Sequence, residues 1–219
     1  MIRVVTFDAA GTLIRLLRPP GTTYAESAQL FGYHLDPDRV QDSFRITWKT
    51  FAPPPERADA LPNDDRDWWR ELVARTMETA GYRIVPFESY FDAVYQRFAQ
   101  PGVWELFPDV QATLTKLRSL NIRLGIISNF DRRLYAILGH LGVLDAFEQI
   151  IVSSEIGVRK PAPRIFRMAA QRFNVDVNEI LHVGDESESD LDGARSAGLE
   201  ALLVDHKSPM LSGILERLV

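Results

Sequence analysis

The chain contains no cysteine. That absence excludes disulfides, thiol catalysis and zinc–thiolate centres outright. Histidine is sparse: His34, His140, His182 and His206 are scattered, with none at metal-ligand spacing. No apolar run reaches the roughly 18 residues that a membrane-crossing helix needs, so no membrane partner is expected. The net charge is −5, with acids and bases mixed along the 219 residues. That leaves no basic footprint for nucleic acid and no polybasic anchor. An anionic ligand would need a local cluster of donors. Internal repeats and low-complexity segments are also missing. The opening MIRVVTFD is already strand-like rather than a secretory signal, and a cytoplasmic location is the expectation.

What is present is an ordinary globular composition, 46% hydrophobic and 25% charged. IRVVTF (2–7) is a β-branched, nearly continuous apolar run, as expected of a strand covered on both faces. Similar runs recur at 122–128, 149–153, 180–184 and 200–204. Between them lie helical patterns at 108–120, 131–142 and 161–173, and LDGARSAG (191–198) ends on Gly198, a suitable helix stop. Strands alternating with helices predict an α/β fold, a doubly wound parallel sheet. Residues 15–104 differ, showing four helical patterns, dense aromatics and no convincing strand. The expected organisation is a Rossmann-like core from 1–14 and 105–219, interrupted by an inserted helical module at 15–104. In open parallel sheets ligands bind beyond the carboxyl ends of the strands, the side on which the insertion begins.

Polar groups follow the apolar runs in a telling order. Asp8 ends the first strand, Ser128 and Asn129 the second, Lys160 follows the third, and Asp185 follows the fourth with Asp190 five residues on. Any one of these could be a helix cap; together they could converge on one rim. The set Asp8-Ala9-Ala10-Gly11-Thr12, Ser128-Asn129, Lys160-Pro161 and Gly184-Asp185 through Asp190 resembles the four motifs of the haloacid dehalogenase superfamily. The tail Leu191–Gly198 fits that family as well, and the inserted module resembles its C1-type helical cap domain. SNFDRRL (128–134) and ILGHLG (137–142) resemble the subgroup of the rhythmically expressed gene 2 product.

The resemblance implies a Mg²⁺-dependent hydrolase acting on a small phosphorylated metabolite, as a monomer or weak homodimer. Asp8, Lys160 and Ser128 would be catalytic, with Asp8 forming an aspartyl-phosphate. Thr12, Ser128, Asn129 and Lys160 would bind substrate. Asp8, the carbonyl of Ala10, Asp185 and Asp190 would serve the metal, because Mg²⁺ takes one or two carboxylates together with waters and substrate oxygens.

Ala10 departs from the pattern, since phosphatases of this family carry a second aspartate there as general acid and base. Asp131, Glu186 and Glu188 are candidate substitutes. Other readings remain open. One is a phosphonatase using Lys49, desolvated by Trp48 and Phe51, for a Schiff base. Another is a metal-free 2-haloacid dehalogenase with Arg39 cradling a carboxylate or halide. A third is a non-catalytic module that holds a phosphorylated ligand.

Overall fold

Val4–Phe7 forms β1, and all four side chains are buried, as a strand covered on both faces requires. The structure, a computed structural model, describes residues 1–55, 65–206 and 210–218. Of the ranges expected above, residues 56–64, 207–209 and 219 lie outside it. The described residues form two compact units, 1–15 with 105–206 and 210–218, and 16–55 with 65–104.

β2 (Ile14–Leu16) follows β1, then come α1 (Pro20–Gln29), α2 (Pro37–Thr50), α3 (Arg66–Thr79) and α4 (Phe87–Arg97). The sequence explains the local starts. Pro37 occupies the first turn of α2, and the Asp36 side chain accepts from the Asp38 and Arg39 N–H groups. The helices bury Tyr24, Val40, Val73, Met77, Tyr90 and Phe91 in a core of their own. Burial raises the Tyr90 phenol far above its ordinary range, and its hydroxyl donates to the Tyr24 carbonyl at 3.3 Å.

β3 (Trp104–Leu106) returns the chain and pairs with β2 in a two-stranded sheet. The reading that 15–104 holds no strand therefore needs correction at both margins. Strands of three residues are too short for a period-2 pattern to register. Arg15 Nε donates to Glu105 Oε1 at 2.8 Å between them.

The remaining elements are α5 (Val110–Ser119), β4 (Arg123–Ser128), α6 (Arg133–His140), β5 (Gln149–Val152), α7 (Ser153–Ile156), α8 (Pro163–Phe173), β6 (Ile180–Gly184), α9 (Gly193–Ala197), β7 (Glu200–Leu203) and α10 (Met210–Arg217). Five parallel strands lie in the order β5-β4-β1-β6-β7. The order reverses at β1, which makes its carboxyl end the switch-point crevice of a doubly wound sheet. Alternation splits the strands into two apolar faces. Val4, Ile127, Ile151, Ile180 and Ala201 pack against Ile165, Phe166, Ala169 and Phe173 of α8 and Ala194 of α9. The expected helix at 191–198 is α-helical only from Gly193; a π-helical turn, Ser187–Asp192, precedes it. No helix among the described residues is long and apolar enough to cross a membrane.

Phe166 is fully buried within the core that α8 builds on the sheet. Phe166→Ala is expected to lower unfolding free energy by about 3–5 kcal/mol, read as a shift of the urea midpoint; a loss below about 1 kcal/mol would contradict this packing.

Candidate active site

Asp8 follows β1, and its N–H donates to the Val183 carbonyl at 2.8 Å, which keeps the chain in sheet register up to the carboxylate. Lys160 reaches the same place from the loop after α7. Its Nζ donates to Asp8 Oδ1 at 2.6 Å and to Asp190 Oδ1 at 2.5 Å, and the ammonium side chain is 2% exposed. Asp190 arrives on the π-helical turn, where the N–H groups of Asp190 and Leu191 both donate to the Glu186 carbonyl. Such widened turns often carry functional side chains. Glu186 N donates to Asp190 Oδ2 at 3.0 Å. Asp185 follows β6, and Thr12 Oγ1 donates to its Oδ1 at 2.8 Å.

Two glycines make this approach possible. A Cβ on Gly11, whose φ is +96°, would lie 2.3 Å from Asp185 Oδ2. A Cβ on Gly184 would lie 2.2 Å from Asp190 Cγ. Each carboxylate occupies the space that any other residue's side chain would fill.

The resulting electrostatics are unbalanced: three carboxylates share one ammonium. Burial raises the Asp8 carboxyl above its ordinary value; the Lys160 charge opposes this, and Asp190 and Asp185 add to the rise. Burial likewise raises Asp185, with the Thr12 hydrogen bond opposing and Asp190 and Glu186 reinforcing. Burial would raise Asp190 too, but the bond from His182 and the Lys160 charge outweigh it and hold that carboxyl well below its usual range. For Lys160 burial disfavours the charge, yet Asp8 and Asp190 overcome it and keep the ammonium proton bound more tightly than usual.

Oxygens of Asp8, Asp185 and Asp190 lie within 4.8 Å of one another, so the cluster could hold a metal ion. The donor set fits a hard divalent cation: oxygen ligands only, two carboxyls raised by burial and mutual repulsion, and glycines beside them.

Other residues singled out in the sequence take varied places. Ser128 is buried as the last residue of β4. Asn129 clasps the main chain of Lys160, its Nδ2 donating to the carbonyl at 3.0 Å and its Oδ1 accepting from the N–H at 2.8 Å. Its amide is thus committed to holding the lysine loop, as the Thr12 hydroxyl is to Asp185. Ala10 is half-buried and forms an isolated bridge with Ile14. Asp131 is buried but bound by Arg133, whose Nε and guanidinium nitrogen donate at 2.8 and 2.6 Å. That pairing neutralises it as a stand-in base. Glu186 and Glu188 are exposed. Lys49 is exposed on the last turn of α2, without the burial that a Schiff-base lysine would require, while Trp48 stacks on Phe44 and Trp69. Arg39 is exposed and lies over the Tyr82 ring at 5.1 Å, engaged there rather than held as a bare cationic cradle.

Two partners of the site escaped the sequence reading. His182 is fully buried in β6; its Nε2 lies 3.3 Å from Asp190 Oδ1 and its Nδ1 3.0 Å from Thr6 Oγ1. Burial lowers its affinity for a second proton, so the ring is neutral at pH 7. A carboxylate only accepts, which puts the hydrogen on Nε2 and makes Thr6 the donor to Nδ1. Strand register sets Thr6 beside His182. The available signal was a polar residue inside each of two otherwise apolar strand runs.

The family model for haloacid dehalogenase-like hydrolases matches residues 2–198. Haloacid dehalogenase-like hydrolase domain-containing protein 3 of Mus musculus is 33% identical over 221 residues, 97% of this chain and 86% of that protein. The rhythmically expressed gene 2 protein of Drosophila melanogaster is 30% identical over 221 residues, 94% of this chain and 84% of that protein. Among solved structures, L-2-haloacid dehalogenase from Xanthobacter autotrophicus superposes with a TM-score of 0.71 at 24% identity, covering 96% of this chain and 80% of its own.

Asp185→Asn tests the electrostatics. A carboxyl raised in the fold binds its proton more tightly folded than unfolded, so its ionised form lowers stability above the unfolded value of 3.8. In EDTA the variant should melt higher than the parent at pH 7, with the gap closing as pH falls toward 4. Millimolar Mg²⁺ should then raise the parent's melting temperature and leave the variant's unmoved. A variant that melts lower at every pH would refute the assignment.

Proposed function

Because the chain belongs to the haloacid dehalogenase-like hydrolase family, we propose that it is a phosphohydrolase of small phosphorylated metabolites with Asp8 as nucleophile. The observation that carries this is the buried charge pattern: Lys160 bonded to both Asp8 and Asp190, with Asp185 in the same cluster. Three carboxylates against one ammonium would repel a phosphate dianion. A divalent cation of the Mg²⁺ type, held by Asp8, Asp185 and the Ala10 carbonyl with Asp190 behind them, would supply the missing neutralisation between nucleophile and phosphate.

The chain's own residues do the rest. Lys160 holds Asp8 Oδ1, leaving Oδ2 as the attacking oxygen. Attack forms an Asp8 O–P bond and breaks the bond from phosphorus to the leaving oxygen. Water then cleaves the aspartyl-phosphate, releasing orthophosphate and restoring the carboxylate. Ser128 and the following main chain donate to the phosphate oxygens. Asn129 holds the Lys160 loop, and Thr12 holds Asp185. The helical unit takes the part of the cap domain, selecting the substrate.

Ala10 sets the substrate class. A positioned acid or base contributes about 10²–10⁴-fold, and Asp131 is occupied by Arg133. Acyl and aryl phosphates fit, because their leaving groups depart with little protonation. Attack at carbon on a 2-haloacid would use the same Asp8 but needs no divalent cation, and it leaves the Asp185 carboxylate without a task.

With p-nitrophenyl phosphate and Mg²⁺, turnover is expected and Asp8→Asn should abolish it. Ala10→Asp should raise turnover on alkyl phosphates, by up to about 10²-fold, far more than on aryl phosphates. Inactivity on acyl, aryl and sugar phosphates alike would overturn the proposal.

A further inference from the structure

The loop that follows Asp8 is tied mainly through its own backbone: Gly11 N–H donates to the Ile14 carbonyl at 2.9 Å, the Leu13 and Ile14 N–H groups donate to the Ala9 carbonyl, and Thr12 Oγ1 donates to Asp185. Ala10 brings no polar side chain, and Gly11, with φ of +96°, brings none either. One long-range contact meets this loop from the far end of the chain. His206 Nε2 lies 2.7 Å from the Gly11 carbonyl, across 195 residues. A carbonyl oxygen can only accept, so Nε2 carries the hydrogen and His206 is the donor.

The ring is held for that purpose on its face as well. It stacks on Phe107 with centroids 3.5 Å apart and planes 7° from parallel. Arg15 lies over the Phe107 ring at 5.1 Å, and Phe107 N donates to the Leu13 carbonyl at 3.0 Å. His206 itself sits at φ +57°, a left-handed conformation that costs a non-glycine residue energy and persists where the surroundings enforce it. The Gly11 peptide in turn abuts Asp185, since the space of a Gly11 Cβ is taken by that carboxylate.

We propose that His206 is a positioning residue for the Asp8–Thr12 loop, donating from Nε2 to the Gly11 carbonyl and so fixing the Gly11–Thr12 peptide, the unit next to the one that carries the Ala10 carbonyl. The inference rests on the reading of this loop as the nucleophile loop. It assigns to a residue outside the four motifs the role of steadying the peptide next to a main-chain ligand, as hydrogen-bond partners behind metal ligands do elsewhere.

His206→Gln keeps an N–H donor at similar reach, whereas His206→Phe keeps the aromatic stack and loses the donor. In metal-free protein, hydrogen–deuterium exchange of residues 9–14 should accelerate about tenfold in His206→Phe and stay near the parent rate in His206→Gln. The Mg²⁺ concentration giving the half-maximal thermal shift should rise about tenfold in His206→Phe, the lower end of the range for such partners, and change less than about threefold in His206→Gln. With p-nitrophenyl phosphate at saturating Mg²⁺, His206→Phe should lower kcat and leave KM near the parent value. Parent-like exchange and Mg²⁺ midpoint in His206→Phe would overturn the inference. So would equal losses in both variants, which would make the ring mere packing. Exchange and thermal shift need no turnover, so an enzyme inactive on every phosphate ester would sink the phosphohydrolase reading and leave this test intact.

Discussion

The whole arrangement depends on one buried ammonium. Lys160 is all but removed from solvent, and its Nζ is bonded to Asp8 and Asp190 together. A lone lysine in that position would lose its proton, and lone carboxylates would gain theirs. Lys160 and Asp190 hold each other charged, at a geometry only a narrow set of backbone positions permits. Breaking such a pair strands an uncompensated charge, which costs about 3–5 kcal/mol. The Asn129 clasp on the Lys160 main chain and the π-helical delivery of Asp190 are thus devices for keeping two long-range partners in register.

The site is also a place where stability yields to function. Asp8 and Asp185 both carry carboxyls raised above their ordinary values by burial. The fold tolerates this because the neighbouring sheet is apolar and deep, with every side chain of β1 and β6 buried. Around the strained charges lies a layer of neutral holders. Thr12, Asn129, His182 and Thr6 each use a hydrogen bond to fix a charged neighbour or its holder. None needs a charge of its own, so none adds to the imbalance.

Much of this was legible in the sequence, because the sheet is simple and hydrophobic. The five apolar runs became five parallel strands, with ILHVG matching β6 residue for residue. Asp8, Lys160, Asp185 and Asp190 were visible because each follows such a run. What escaped was whatever depends on pairing between distant segments. β2 and β3 are three residues long and carry no periodic signal. His182 looked like one of four scattered histidines, and only the β1–β6 register gives it a partner in Thr6. The amide of Asn129 and the hydroxyl of Thr12 seemed destined for substrate, yet they hold Lys160 and Asp185, a distinction set by side-chain direction rather than residue type. The segment Asp8–Thr12 is informative also by what it omits, a second acid at Ala10.

The central position of β1 has a consequence for how the molecule comes into being. Its neighbours are β4, beginning at Arg123, and β6, beginning at Ile180. In a nascent chain β1, apolar but for Thr6, stays unpaired until the segments that form β4 and β6 have been translated. At ribosomal speeds of about 5–20 residues per second, that interval lasts on the order of ten seconds, long enough for a chaperone to matter. Asp8 is made well before the groups that surround it, and its cluster is complete only once Lys160, Asp185 and Asp190 have followed.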